Sequence, residues 1–156
     1  EIPVQLKVDK TLLPKKYFEL SRKYHPDFFA NNPENERNEM LEKSALLNKA
    51  LKTFQHPEET IKYVLQLKGL LEEEEKYELP PDFLMEVLEI NEKLMDNPAG
   101  PELESRISQL QSEIYEPVKE IVESYQEGLT SKEELLQVKE YYYKKKYIDR
   151  IRKELL

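Results

Sequence analysis

An all-α fold is what this sequence predicts, and three observations carry the prediction. Apolar residues recur at spacings of three and four along most of the chain, the period of one helix face. Long runs are rich in Leu, Glu and Lys with only three Gly in 156 residues, a composition that favours helix over sheet. Helix stop and start signals then punctuate the pattern at Pro26, Pro33, Pro57, Gly69, Pro101, Gly128 and Ser131. The expected architecture is an N-terminal helical hairpin with a short third helix over residues 1–70. A linker at 71–81 follows, and then an antiparallel three-helix bundle over 82–156.

Residues 1–8 carry no assignable pattern. Asp9 suits a helix N-cap, but Pro14 falls one turn later. The first helix therefore starts either at Lys10 or with Pro14 as its first residue. Leu13, Tyr17, Leu20 and Tyr24 share one face, and Lys15, Lys16, Arg22 and Lys23 fall on the opposite side. Pro26 ends this helix, since it has no N–H to donate and disfavours helical geometry at His25. Residues 28–32 read as a loop, with Asn32 as N-cap and Pro33 at N1 of a long helix running to about Gln55. Met40, Leu47, Leu51 and Phe54 lie on one side of it, and Ala45 and Ala50 allow close approach of the first helix. Pro57 opens a shorter helix with Ile61, Val64, Leu65 and Leu67, closed by Gly69 at C′.

The Glu run and Pro80-Pro81 read as a solvated linker. A helix follows from near Asp82 to Asn97-Pro98. The next begins near Pro101, with Leu103, Ile107, Leu110, Ile114, Val118, Ile121 and Tyr125 in alternating four/three steps, and Gly128 closes it. Pro117 lies inside that pattern and predicts a kink, because it removes a backbone hydrogen bond at a cost of about 3 kcal/mol. Ser131-x-x-Glu134 is a capping box that opens the last helix.

Composition excludes several classes. The chain is 38% hydrophobic, 36% charged and free of Cys, which rules out a disulfide scaffold and a Cys-ligated metal centre and fits a reducing compartment. No apolar run approaches the length of a membrane span. No signal peptide is visible, although a chain that starts at Glu1 could have lost a leader. The two His are not at helical ligand spacing, and neither a Gly-rich phosphate loop nor a nucleophile elbow is present. No catalysis, metal or resident cofactor is expected. The net charge of −8 is uneven. Residues 1–56 carry ten Lys/Arg against eight Asp/Glu, and residues 72–97 carry two against ten. Two surfaces for two partners are the natural reading. Tyr141–Tyr147, with Lys144-Lys145-Lys146 inside, mixes bases and aromatics as single-strand binders do. The acidic total argues against nucleic acid, and a helix with Tyr inward and Lys outward is the simpler reading.

Two sites remain. His25-Pro26-Asp27 is a good turn sequence and, alone, no more than that. Here it ends a basic helix and precedes a long second one, whereas His56-Pro57-Glu58 lacks both the Asp and the basic face. In that context it resembles the J domain of DnaJ-type co-chaperones. The second site is the helix from Asp82. Phe83, Val87, Ile90 and Leu94 form one apolar stripe, while Leu84, Leu88 and Met95 lie roughly 100–140° around from it, with Met85 beyond. Glu89, Glu92 and Asp96 border this second face. Periodicity alone leaves open whether it binds a partner or packs inside the bundle.

Phe83-Leu84-Met85-Glu86 with Leu88-Glu89 is similar to the client-binding helix of the HscB family of iron–sulfur co-chaperones. Ser44-Ala45-Leu46-Leu47-Asn48-Lys49-Ala50, then Thr53-Phe54 and His56-Pro57, is similar to the second helix of that family's J domain. With Tyr24-His25-Pro26-Asp27-Phe28-Phe29, the resemblance extends from about Leu6 to the C-terminus. It implies a co-chaperone that binds the scaffold IscU and delivers it to an HscA/DnaK-class chaperone, whose ATPase it stimulates. Residue by residue, Leu84, Met85, Leu88, Glu89, Glu92 and Asp96 would contact the scaffold, together with Tyr147 at a position usually aromatic in the family. Lys15, Lys16, Arg22 and Lys23 would dock on the chaperone, His25 would anchor the turn before Pro26, and Asp27 would accept from a chaperone arginine. The family's aromatic-rich first J-domain helix has no counterpart before Ile2, and Pro14 is unusual in the basic helix. The zinc-binding Cys pairs of some eukaryotic relatives are absent, which points to a bacterial protein of the cytoplasm. Two other readings stay open: a J protein with a different client, and a structural helical adaptor whose His-Pro-Asp is only a turn.

Overall fold

The structure is a computed structural model and describes residues 4–96 and 101–155. Among them every regular element is helical, as the composition predicts. The chain packs as two units, Glu1–Val64 and Leu65–Leu156.

In the first unit, α1 spans Leu12–Tyr24. Asp9 starts it from outside: its Oδ1 accepts from the Thr11 N–H at 2.8 Å, the Thr11 hydroxyl at 2.7 Å and the Leu12 N–H at 3.3 Å. Pro14 thereby falls in the first turn, where no intrahelical partner waits for its missing N–H. The expected loop after α1 contains a 3₁₀ turn, Pro26–Phe29, and α2 spans Glu34–Gln55. Pro33, not Asn32, occupies the N-cap; the Asn32 side-chain amide donates instead to Glu36 Oε2 at 3.2 Å. The two helices pack side by side, tied by the Tyr17 hydroxyl, which donates to Asn48 Oδ1 at 2.8 Å.

Nothing on α2 is fully buried. Met40, Leu47, Leu51 and Phe54 are half-covered, and a groove of about 500 Å³ runs between Leu13, Tyr17 and Leu20 of α1 and Leu47, Leu51 and Phe54 of α2. Ala50 lines this groove, but Ala45 is exposed and makes no close approach. Residues Pro57–Leu67 form α3, whose Ile61, Val64 and Leu65 are buried whereas Leu67 is exposed. The boundary between the two units falls inside α3, between Val64 and Leu65. Gly69, at φ +72°, ends α3 as expected. Its N–H donates to the Gln66 carbonyl at 3.0 Å, and the Leu70 N–H reaches the Leu65 carbonyl at 2.9 Å. This is the paired-bond C-terminal motif that needs a left-handed residue.

The second unit begins with a segment that the Glu run disguises. Residues 71–80 are not a solvated strand: Leu71 is buried, and Glu75 and Tyr77 are held by side chains of the last helix. Then come α4 (Pro81–Asp96), α5 (Pro101–Tyr115), a 3₁₀ turn (Glu116–Val118), α6 (Lys119–Glu123) and α7 (Lys132–Leu155). The expected helix stop at Asn97-Pro98 lies outside the described residues, as does the side chain of Leu94. The kink predicted at Pro117 is a full break. Beyond it the buried position moves from Ile121 to Val122, because the 3₁₀ turn advances the chain by a different angle per residue. The helix then stops at Glu123, so Tyr125 and Gly128 (φ +82°) belong to the following loop. The Ser131–Glu134 box forms in both directions, each backbone N–H donating to the other's side chain at 3.1 Å. α5 packs against both α4 and α7, with Val87, Ile90, Ile107, Leu110, Val138 and Ile148 among the buried side chains.

Candidate functional site

The first unit presents the turn. His25 has the extended backbone (φ −64°, ψ 129°) that a residue before proline adopts. Its Nδ1 accepts from the Asp27 N–H at 3.3 Å, and its carbonyl accepts from the Phe28 N–H at 3.1 Å. An Nδ1 that accepts leaves the neutral ring's proton on Nε2. The imidazole is thus a cap that rigidifies the turn. It leaves Asp27 projecting, with 89% of its side-chain surface in water and Nδ1 of His25 3.6 Å from its Oδ2. Pro26 supplies the fixed φ at the head of the 3₁₀ turn.

The basic face of α1 leads up to this point. Lys15, Arg22 and Lys23 are exposed. Lys23 and Lys43 place their ammonium groups 5.3 and 5.2 Å from the Tyr24 ring centroid, which fixes the last turn of α1 against α2. Lys16 departs from the expected arrangement. It is half-buried on the groove wall and lies 3.6 Å from Glu19, which leaves Lys15, Arg22 and Lys23 as the exposed cations of that face, Lys23 already against the Tyr24 ring.

The second unit presents the strip on α4. Phe83, Val87 and Ile90 are 4%, 2% and 3% exposed and hold α4 to the bundle. On the same helix Leu84, Met85 and Leu88 are 40%, 64% and 56% exposed, and Met95 is 87% exposed. The two apolar faces thus separate into one that packs and one that meets water. Glu89, Glu92 and Asp96 are exposed along it. From α7, Tyr147 is half-buried against α4, its ring edge-on to Phe83 at 6.3 Å, with the Arg150 guanidinium 5.8 Å from the tyrosine centroid.

Comparison with known proteins bears on both units. The family model described as "HSCB C-terminal oligomerisation domain" matches residues 79–156, half of the chain. Co-chaperone protein HscB homologs from two Vibrio vulnificus strains, YJ016 and CMCP6, are each 32% identical over 114 residues, covering 72% of this chain and 67% of theirs. This chain belongs to the HscB family.

Solved HscB structures share the fold. Human co-chaperone HscB superposes with a TM-score of 0.77 at 30% identity, covering 98% of this chain and 76% of its own. Chaperone HscB from Vibrio cholerae gives 0.64 at 26% identity, covering 98% and 90%. The division of α4 into buried and exposed stripes separates side chains that hold the bundle from side chains that meet water.

Sequence reasoning missed two features of this chain. Phe18 and Phe28 are 64% and 70% exposed beside His25, although Phe18 drew no assignment from the helical period and Phe28 only that of a loop residue. The lysine run of α7 is also less outward than expected. Lys144 lies 5.5 Å from the Phe83 ring centroid and Lys145 bonds Asp149 Oδ1 at 2.6 Å, which leaves Lys146 as the exposed member. Among the described residues no cluster of His, Cys, Asp or Glu could hold a metal ion, and no helix is long and apolar enough to cross a membrane.

Proposed function

We propose that this HscB-family co-chaperone couples an IscU-type iron–sulfur scaffold to an HscA/DnaK-class chaperone and stimulates the chaperone's ATPase. The observation that carries the reading is the exposure of Leu84, Met85 and Leu88 beside buried Phe83, Val87 and Ile90. A soluble helix that keeps three large apolar side chains in water, edged by carboxylates, is built to be covered by another protein. Leu84, Met85, Leu88, Glu89, Glu92, Asp96 and Tyr147 form the scaffold surface in this reading.

His25, Pro26 and Asp27, with Lys15, Lys16, Arg22 and Lys23, form the chaperone surface. The exposed cations attract an acidic patch and align it, and Asp27 accepts a charge-assisted hydrogen bond from a chaperone arginine. Because Nδ1 of His25 already caps the turn, the backbone that carries Asp27 is fixed before docking, and less freedom is lost on contact. Nucleotide and Mg²⁺ belong to the chaperone. Holding both partners at once raises the scaffold's effective concentration at the chaperone. The compartment that goes with this reading is the bacterial cytoplasm.

A steady-state ATPase assay with a purified DnaK-class chaperone tests the assignment. Asp27→Asn keeps the size and the backbone cap, so the melting curve stays unchanged while stimulation is lost. Stimulation equal to wild type would remove Asp27 from the mechanism.

A further inference from the structure

Phe18 and Phe28 stand on the two sides of the His25–Asp27 turn with most of their rings in water. Phe18 is four residues before Arg22, so the two share one face of α1, and His25 follows the end of that helix. Phe28 belongs to the 3₁₀ turn and meets the His25 imidazole edge-on at 6.1 Å and 74°. Phe18, Ser21, Arg22, His25, Asp27 and Phe28 enclose a depression of about 340 Å³. Its walls are two aromatic rings, and its rim carries one guanidinium and one carboxylate.

Neither phenylalanine is buried in a core. α1 turns Leu13, Tyr17 and Tyr24 toward α2; Phe18 meets the Tyr17 ring edge-on at 5.9 Å, and the rest of its ring, like most of Phe28, stays in water. Aromatic rings left in water beside a charged turn mark a contact surface rather than a core. The charges narrow the occupant. Asp27 calls for a cation and Arg22 for an anion, and the space between them is apolar and shallow.

Resting on the reading that this turn docks on the chaperone, we propose that the Phe18–Phe28 cup receives an apolar side chain of the chaperone. That side chain stands between the arginine that meets Asp27 and a carboxylate that meets Arg22. The division of labour is that the two rings set affinity and Asp27 sets the maximal stimulation. Truncating exposed rings leaves folding intact, and a ring buried at the centre of an interface carries about a tenfold share of affinity.

The test titrates full-length wild type, Phe18→Ser/Phe28→Ser and Asp27→Asn into a purified DnaK-class chaperone and records ATPase rate against co-chaperone concentration. Sedimentation and thermal melts of each variant accompany it. The expected result is a half-maximal concentration raised about tenfold or more in the double variant, with the plateau retained and the melt unchanged. An unchanged half-maximal concentration, with Asp27→Asn still inactive, overturns the cup and leaves the proposed function standing. A wild-type protein that stimulates nothing overturns both. A wild-type dimer that the double variant converts to monomer assigns the cup to a second copy of this chain and overturns the proposal.

Discussion

Tyr77 lies flat on Tyr143, ring centroids 4.6 Å apart and planes 3° from parallel. Two residues earlier, Glu75 takes the Lys139 ammonium between its oxygens at 2.7 and 3.0 Å, and that ammonium also lies 5.7 Å from the Tyr77 ring centroid. Residues 71–80 are therefore a strap on α7. A stacked pair and a shielded ion pair hold down a segment whose composition alone suggests solvent.

Acid should loosen the strap. The hydrogen bond from Lys139 is the main cause that holds the Glu75 carboxyl below the ordinary glutamate range. A group that ionises more easily folded than unfolded adds stability above the ordinary range and loses it as pH falls through its folded value. Lys139→Met should therefore lower stability at pH 7 by about 1 kcal/mol, with the difference from wild type shrinking as pH falls below the ordinary glutamate range. Thermal melts across that range check it, and a constant difference at all pH values would contradict it.

Gly69→Ala tests the end of α3. A Cβ there meets nothing within 4 Å, so no clash enters and the whole cost is the left-handed backbone at φ +72°. The loss should be about 1–2 kcal/mol by urea unfolding, and Gly69→Asn should lose less.

The two faces of α4 should separate by stability as sharply as they do by exposure. Ile90→Ala removes a buried side chain and should cost about 2–5 kcal/mol. Leu88→Ala, on the exposed face, should stay within about 0.5 kcal/mol of wild type. Comparable losses at both positions would mean that Leu88 is core.

Much of this was legible in the residues. The heptad-like stripe from Leu103 to Val118, the Ser131–Glu134 box, Gly69 and the His25–Asp27 turn are local signals, each decided by neighbours within one helical turn. What escaped was non-local. The Tyr77–Tyr143 stack joins residues far apart in sequence, and nothing near Tyr77 announces its partner. The exchange of Ile121 for Val122 depends on how far the chain rotates at Pro117, an angle that periodicity does not supply. Ala45 and Leu67 fit a buried face by spacing yet lie open, because a half-covered α2 and the end of α3 bury less than a full helix face. On α4, spacing assigned the Phe83, Val87 and Ile90 stripe to the bundle but left open whether the second stripe met solvent.

The central claim is that the turn and the α4 strip act as separate grips on separate proteins. Chaperone ATPase rate measured with and without a subsaturating IscU-type scaffold, for wild type, Asp27→Asn and Leu84→Ala/Leu88→Ala, tests it most directly when paired with scaffold binding to each variant. The account predicts that the α4 variant keeps scaffold-independent stimulation and loses the increment that scaffold adds. It predicts that Asp27→Asn binds scaffold normally and stimulates in neither condition. Loss of both functions in either variant, with its fold intact, would contradict two independent surfaces.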